Sequence, residues 1–211
     1  MKRLTALLIV LLFVAGGAFA LELTLGLKGG VGHFDAWGSD YSDRLDEQNL
    51  ERDFSFGGSI GAFGRFGLVR RWSLQPEILF TSGGQKYSGS SGNGDDWVRV
   101  VRRTIEVPIL VRRQFNLGPL TLAAFAGPNA QFKVGDFKLA QEGVDDTEIA
   151  DQKSMAFGAD VGVGMDFQIL RGVLTTDLRY SLGLTSWDDT GDDNTKPQSV
   201  RLFVGYGVAF L

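Results

Sequence analysis

An all-β, eight-stranded antiparallel up-and-down transmembrane β-barrel is the fold this sequence predicts, and three observations predict it. Eight stretches alternate apolar and polar residues with period two. The connections between them alternate between tight turns and long polar loops. The six acids inside the strands, with seven of the bases, fall on one face, opposite the large apolar residues.

The first 20 residues stand apart. In "MKRLTALLIVLLFVAGGAFA", Lys2 and Arg3 form a basic start, Leu4 to Val14 an apolar stretch, and Ala18-Phe19-Ala20 a small-residue cleavage site. That is the pattern of a secretory signal peptide cut after Ala20, and the apolar run is too short for a membrane anchor. Residues 21–211 then form one barrel domain. It has no cysteine, so no disulfide framework holds it. No later run is apolar enough for a membrane helix, and the acidic balance argues against nucleic acid.

The first strand, "LELTLGLKGGVGHF", sets Leu21, Leu23, Leu25, Leu27 and Val31 against Glu22, Thr24, Lys28 and three glycines. The second sets Phe54, Phe56, Ile60 and Phe66 against Ser55, Ser59 and Arg65. The third runs from about 72 to 87 and the fourth from about 97 to 115. "LTLAAFAGPNAQFKV", "SMAFGADVGVGMDFQIL", "VLTTDLRYSLGLTSW" and "SVRLFVGYGVAFL" complete the set. Each is long enough for a tilted strand to cross a bilayer. Pro76, Pro108 and Pro128 each remove a ladder donor, so bulges are expected there.

Tight turns are expected at 69–71, 116–119 and 171–172, and long loops at 35–53, 88–96, 135–153 and 188–198. Short turns on one rim and long loops on the other put both termini on the periplasmic side of an outer membrane. Nineteen of the 25 acids lie in the long loops, with five bases: Arg44, Arg52, Lys138, Lys153 and Lys196. The turns carry Arg70, Arg71, Arg112, Arg113 and Arg171.

A secreted soluble barrel also alternates, but it points its charged face outward. Here the other six acids, Glu22, Glu77, Glu106, Asp160, Asp166 and Asp177, share one face with Lys28, Arg65, Arg102, Arg112, Lys133, Arg179 and Arg201. An eight-stranded barrel has an interior that side chains fill. Charges and glycine belong inside only if the apolar face has lipid as its solvent.

Lumen ion pairs are therefore expected. Counting from the turns places Glu77 between Arg65 and Arg112, with Glu106 nearby, and Asp166 opposite Asp177 with Arg179 bridging them. An acid/base couple of Glu77 and Glu106 is the catalytic alternative to structural pairing. Trp72, Trp97, Trp187, Tyr180 and Tyr206, with Trp37 and Tyr87, suit the aromatic girdles at the membrane interfaces.

The stretches "SLQPEILFTSGGQKY", "IEVPILVRR" and "AAFAGPNAQF", with "LGLKGGVG" and "RLFVGYGVAFL", resemble the PorT-like small outer-membrane β-barrel proteins of Bacteroidota-type bacteria. The likeness spans nearly all of residues 21–211. It implies an eight-stranded outer-membrane barrel without an assigned biochemical activity for most members. The C-terminal strand departs from the usual assembly signal, which ends in an aromatic: Phe210 is penultimate and Leu211 last.

Few residues suggest chemistry. His33, the only histidine, is on the outward phase near the outer end of the first strand. It would suit an outer-leaflet lipid-modifying enzyme of the lipid A deacylase kind, though a lone histidine without a partner motif is usually interfacial. "DDTGDDN" (188–194) crowds carboxylates that could hold Ca²⁺, but without EF-hand spacing. The reading is thus an integral outer-membrane protein, structural or interaction-mediating, without a cofactor. Its expected partners are the bilayer and lipopolysaccharide, the barrel-assembly machinery and other cell-envelope proteins. A narrow passive channel is the further alternative.

Overall fold

Alternation with period two forces the two faces of every strand into different media, and closure of the sheet makes those media the inside and the outside. The computed structural model describes residues 22–38, 50–91, 94–141, 144–149, 152–188 and 195–210, with side chains left out at 50–52, 87–91, 94–99, 138–141 and 144–149. The expected signal peptide lies outside the described residues.

The strands are β1 (Leu23–Trp37), β2 (Leu50–Asp53), β3 (Phe56–Gly67), β4 (Trp72–Ser91), β5 (Gly94–Leu117) and β6 (Leu120–Lys133). There follow β7 (Phe137–Gln141), β8 (Val144–Ile149), β9 (Met155–Ile169), β10 (Gly172–Gly183) and β11 (Lys196–Phe210). Eight of them, β1, β3, β4, β5, β6, β9, β10 and β11, close an antiparallel ring through the β1–β11 and β4–β5 pairings. No helix among the described residues is long and apolar enough to cross a membrane; strands do the crossing.

The long-loop rim is more ordered than alternation alone suggests. β4 and β5 stay paired out to Ser91↔Gly94, so the loop expected at 88–96 is mostly ladder. β2 adds to the outer end of β4, and β7 with β8 continues from the outer end of β5. Glycine and acidic residues hid these extensions because neither favours strands in isolation.

The short turns differ in detail from the sequence reading. A 3₁₀ turn at Val69–Arg71 joins β3 to β4. The β9–β10 turn is Leu170-Arg171, one residue earlier than expected, because Gly172 already pairs with Ile169. Leu170 adopts φ 56° and is 98% exposed. A left-handed backbone costs a leucine about 1–2 kcal/mol, which glycine does not incur. Leu170→Gly is therefore expected to stabilise the fold by up to about 1 kcal/mol, raising the temperature at which the compact band disappears on unboiled gels. An unchanged or lowered temperature would count against this strain.

The prolines interrupt the ladder without shifting it. Between β4 and β5 the pairs run to Pro76↔Ile109 and resume at Leu79↔Glu106. Between β5 and β6 they run from Pro108↔Asn129 to Val111↔Ala126. The register is the same on both sides of each gap. The expected bulges are absent because a bulge needs an extra residue on one strand, whereas a missing donor removes only rungs.

Outward positions remain large and apolar, with Leu27, Ile60 and Val31 all more than 60% exposed. Inward positions bury polar groups, glycine and a few large apolar residues. Phe63, Phe125, Phe203, Leu79 and Leu110 all point inward and are buried, which corrects the expectation of a purely polar inner face. Inward glycines make room for the rings: a Cβ at Gly30 would sit 2.5 Å from the Phe203 ring, and one at Gly162 2.5 Å from Phe125.

Candidate functional site

The chemistry of this chain is concentrated in the barrel lumen. Five acids, Glu77, Glu106, Asp160, Asp166 and Asp177, and five bases, Lys28, Arg65, Arg112, Arg179 and Arg201, are buried there. Each occupies an inward phase of its strand, so the pleat alone delivers it to the lumen. An isolated buried charge costs several kcal/mol, so the arrangement holds only if every charge meets its opposite.

They meet in one continuous zigzag. Starting near the short turns, Arg65 Nη1 lies 2.8 Å from Asp166, and Arg112 spans Asp166 at 3.5 Å and Asp177 at 2.9 Å. Lys28 Nζ then joins Asp177 at 2.8 Å to Glu77 at 2.9 Å. Arg179 joins Glu77 at 2.9 Å to Asp160 at 3.3 Å. Asn129 Nδ2 donates to both Asp160 and Glu106, and Arg201 closes the series on Glu106 at 2.8 Å. From the short-turn end towards the long-loop end, cation and anion alternate as far as Asp160, where the Asn129 amide links it to a second acid, Glu106.

Neutral groups complete it. Gln75 accepts from Arg65 Nε and donates to Glu77. Arg201 also donates to Ser59, Thr81 and Ser181. The inward rings back the cations: Phe203 lies 4.7 Å from Arg179, 5.0 Å from Lys28 and 5.4 Å from Arg201. Phe125 lies 5.1 Å from Arg112, and Phe63 5.7 Å from Arg65. Such contacts add attraction that strengthens away from water.

All seven lumen residues named from sequence lie inside, but they are wired differently. Glu77 meets Lys28 and Arg179, not Arg65 and Arg112. Asp166 and Asp177 are bridged by Arg112 rather than Arg179, and across the β9–β10 ladder Asp166 faces Thr175 and Asp177 faces Gly164. The physical reason is reach: in a narrow barrel a long side chain crosses the lumen and finds its partner on a strand far away in sequence. Lys28 and Asp177, for example, are 149 residues apart. Glu106 sits on Arg201 and Asn129. Asn129 and the inward phenylalanines were missed, although the odd-numbered phase of β6 carries Phe125 and Asn129 in plain view.

The other inward-phase charges lie at the rims. Glu22 is exposed, Arg102 is half-buried, and Lys133 pairs with Asp136 at 3.0 Å. At the extracellular mouth a space of only about 40 Å³ remains among residues that include Phe34, Arg102, Trp187 and Arg201. That is room for one or two waters. Outside the barrel proper, Asp53 pairs with Lys86, and Lys86 with the Phe54 N–H holds its carboxyl below the ordinary carboxylate range.

The girdle is partly as expected in placement. Trp72, Tyr180 and Tyr206 face outward and are exposed by roughly two-fifths. Trp97 falls in β5, with its side chain outside the described set. Trp187 is a correction: it is buried, edge-on to Phe137 at 5.3 Å, and packs over the mouth instead of meeting lipid. Its apolar bulk finds shelter against β7, an element the alternation did not reveal. His33 stacks on Phe54 at 4.3 Å on the outward face. Among the described residues no group of acids and histidine could hold a metal, and most of the acidic run 188–194 lies outside them.

A closed antiparallel ring with an apolar outside and a paired-charge inside defines an integral membrane β-barrel. The family model of the outer membrane protein beta-barrel domain matches residues 15–189, and the chain belongs to that family. It is an outer-membrane protein of the Gram-negative type. Among solved structures it is similar to the outer membrane protein OprG from Pseudomonas aeruginosa, with a TM-score of 0.53 and 10% identity, covering 90% of this chain and 95% of that one. It is also similar to Neisserial surface protein A (NspA), with a TM-score of 0.51 and 14% identity, covering 88% and 97%. No curated protein matches the sequence. At these identities the likeness concerns the fold.

Proposed function

We propose that this barrel acts through its surface and not through its lumen: a structural or interaction-mediating outer-membrane protein whose acidic extracellular loops meet partners outside the cell. The observation that carries this reading is the series of ion pairs, joined at one point by the Asn129 amide, which occupies the lumen a solute would cross. The sequence resemblance to PorT-like barrels supports a place among small cell-envelope barrels. Export behind residues 1–20, insertion by the barrel-assembly machinery through β11 and contact with lipopolysaccharide belong to the same proposal. Divalent ions would bridge the acidic loops to lipopolysaccharide phosphates.

Mass spectra of lipid A from cells with and without the protein are expected to be identical; a lost acyl chain would point to the lipid-modifying alternative. Affinity co-purification from native membranes tests the interaction role directly. Recovery of the same envelope protein from wild type, and its loss when 135–153 is replaced by a short turn, is the expected result.

Orientation is testable because the chain lacks cysteine. A cysteine at Asp192 is expected to react with an impermeant maleimide on intact cells, and one at Arg71 only after permeabilisation. The reverse pattern would invert the barrel.

A further inference from the structure

The lipid-facing surface is not uniformly filled. Ala124 and Ala126 on β6 point outward between larger ladder partners, Arg113 and Val111 on β5 and Val163 and Val161 on β9. Between these walls lies a shallow, open apolar groove, with Trp72 and Arg113 at its short-turn end.

Arg113 is a cation on the lipid-facing phase, and it is held in place. Its Nη1 donates to the Arg70 carbonyl at 2.6 Å, in the turn between β3 and β4. Its guanidinium lies 5.2 Å from the Trp72 ring and 5.9 Å from the Phe115 ring. That contact uses one N–H, and a guanidinium offers further donors in a planar fork that matches phosphate. A side chain already fixed loses little freedom when an anion arrives.

We propose that Arg113 and the groove bind one anionic diacyl phospholipid of the periplasmic leaflet, with its phosphate on Arg113 and an acyl chain lying over Ala124 and Ala126. Charge selects this occupant, since Arg70 and Arg71 of the β3–β4 turn stand beside Arg113 at this end of the groove. A peptide is disfavoured because its backbone would find no hydrogen-bond partner on an apolar floor at membrane depth. A second copy of the chain would bring like-charged rims together.

The test is native mass spectrometry of the delipidated full barrel in detergent, titrated with palmitoyl-oleoyl phosphatidylglycerol. Wild type is expected to bind one lipid tightly. Arg113→Gln and Ala126→Phe are each expected to weaken binding by about tenfold, the loss of one charge-assisted contact or of the groove. Arg171→Gln, away from the groove, serves as control and is expected to bind as wild type does. Equal binding by Arg113→Gln overturns the headgroup contact, and equal binding by Ala126→Phe overturns the chain contact. Equal weakening by Arg171→Gln would mean diffuse rim charge, and a wild-type dimer displacing the lipid would mean a second copy; either result overturns the proposal.

Discussion

Arg201→Ala is expected to lower the folding free energy by about 3–5 kcal/mol, the cost of leaving a buried partner charge uncompensated. Arg201 lies 2.8 Å from Glu106, and it also holds Ser59, Thr81 and Ser181. Alanine would leave Glu106 with the Asn129 amide at 3.1 Å and a void beside Phe203. The double variant Glu106→Leu/Arg201→Leu removes both charges and is expected to recover most of the loss, since paired buried charges replaced together by apolar groups are often neutral. Urea unfolding of refolded protein in detergent, followed by tryptophan fluorescence, measures both. A single variant with an unchanged midpoint, or a double variant worse than the single, would mean that the ion pair does not bear on stability.

The neighbouring residue should respond to the opposite medium. Leu202 faces outward at the centre of β11, 47% exposed, across from Leu178 and Val31. Leu202→Arg is expected to cost about 2–4 kcal/mol in a lipid bilayer, the range for arginine on the lipid face near the midplane. In a soluble barrel the same change at an exposed position would be nearly neutral. Unfolding in liposomes distinguishes the two, and a cost below about 0.5 kcal/mol would contradict a lipid-facing Leu202.

The sequence carried the ring of eight strands, the division into a short-turn rim and a long-loop rim, and the inside of the barrel, because period-two alternation and charge placement are local signals. Glu77 could be assigned inward from its phase alone. Its partners could not, since Lys28 and Arg179 lie 49 and 102 residues away and nothing in a single strand states the tilt that brings them together. Phe125 and Phe203 were legible by phase, since they share it with Asn129 and Arg201, but phenylalanine was not expected on the polar face. Trp187 was misplaced for the same reason: its position near a strand end suggested a girdle, while its cover comes from β7, whose "FKLAQ" gives too short a pattern to stand alone. Pro76 and Pro128 show the converse. Their chemistry was right, a lost donor, but the remaining ladder was strong enough to keep its register.

The central claim is that the lumen is closed by its own charges, so that function resides on the surface. Single-channel recording of wild-type protein in planar bilayers tests it most directly. The paired series from Arg65 to Arg201 fills the lumen with buried side chains, so no steady conductance above the bare bilayer is expected across repeated insertions. A stable, ohmic conductance seen with every insertion would contradict it.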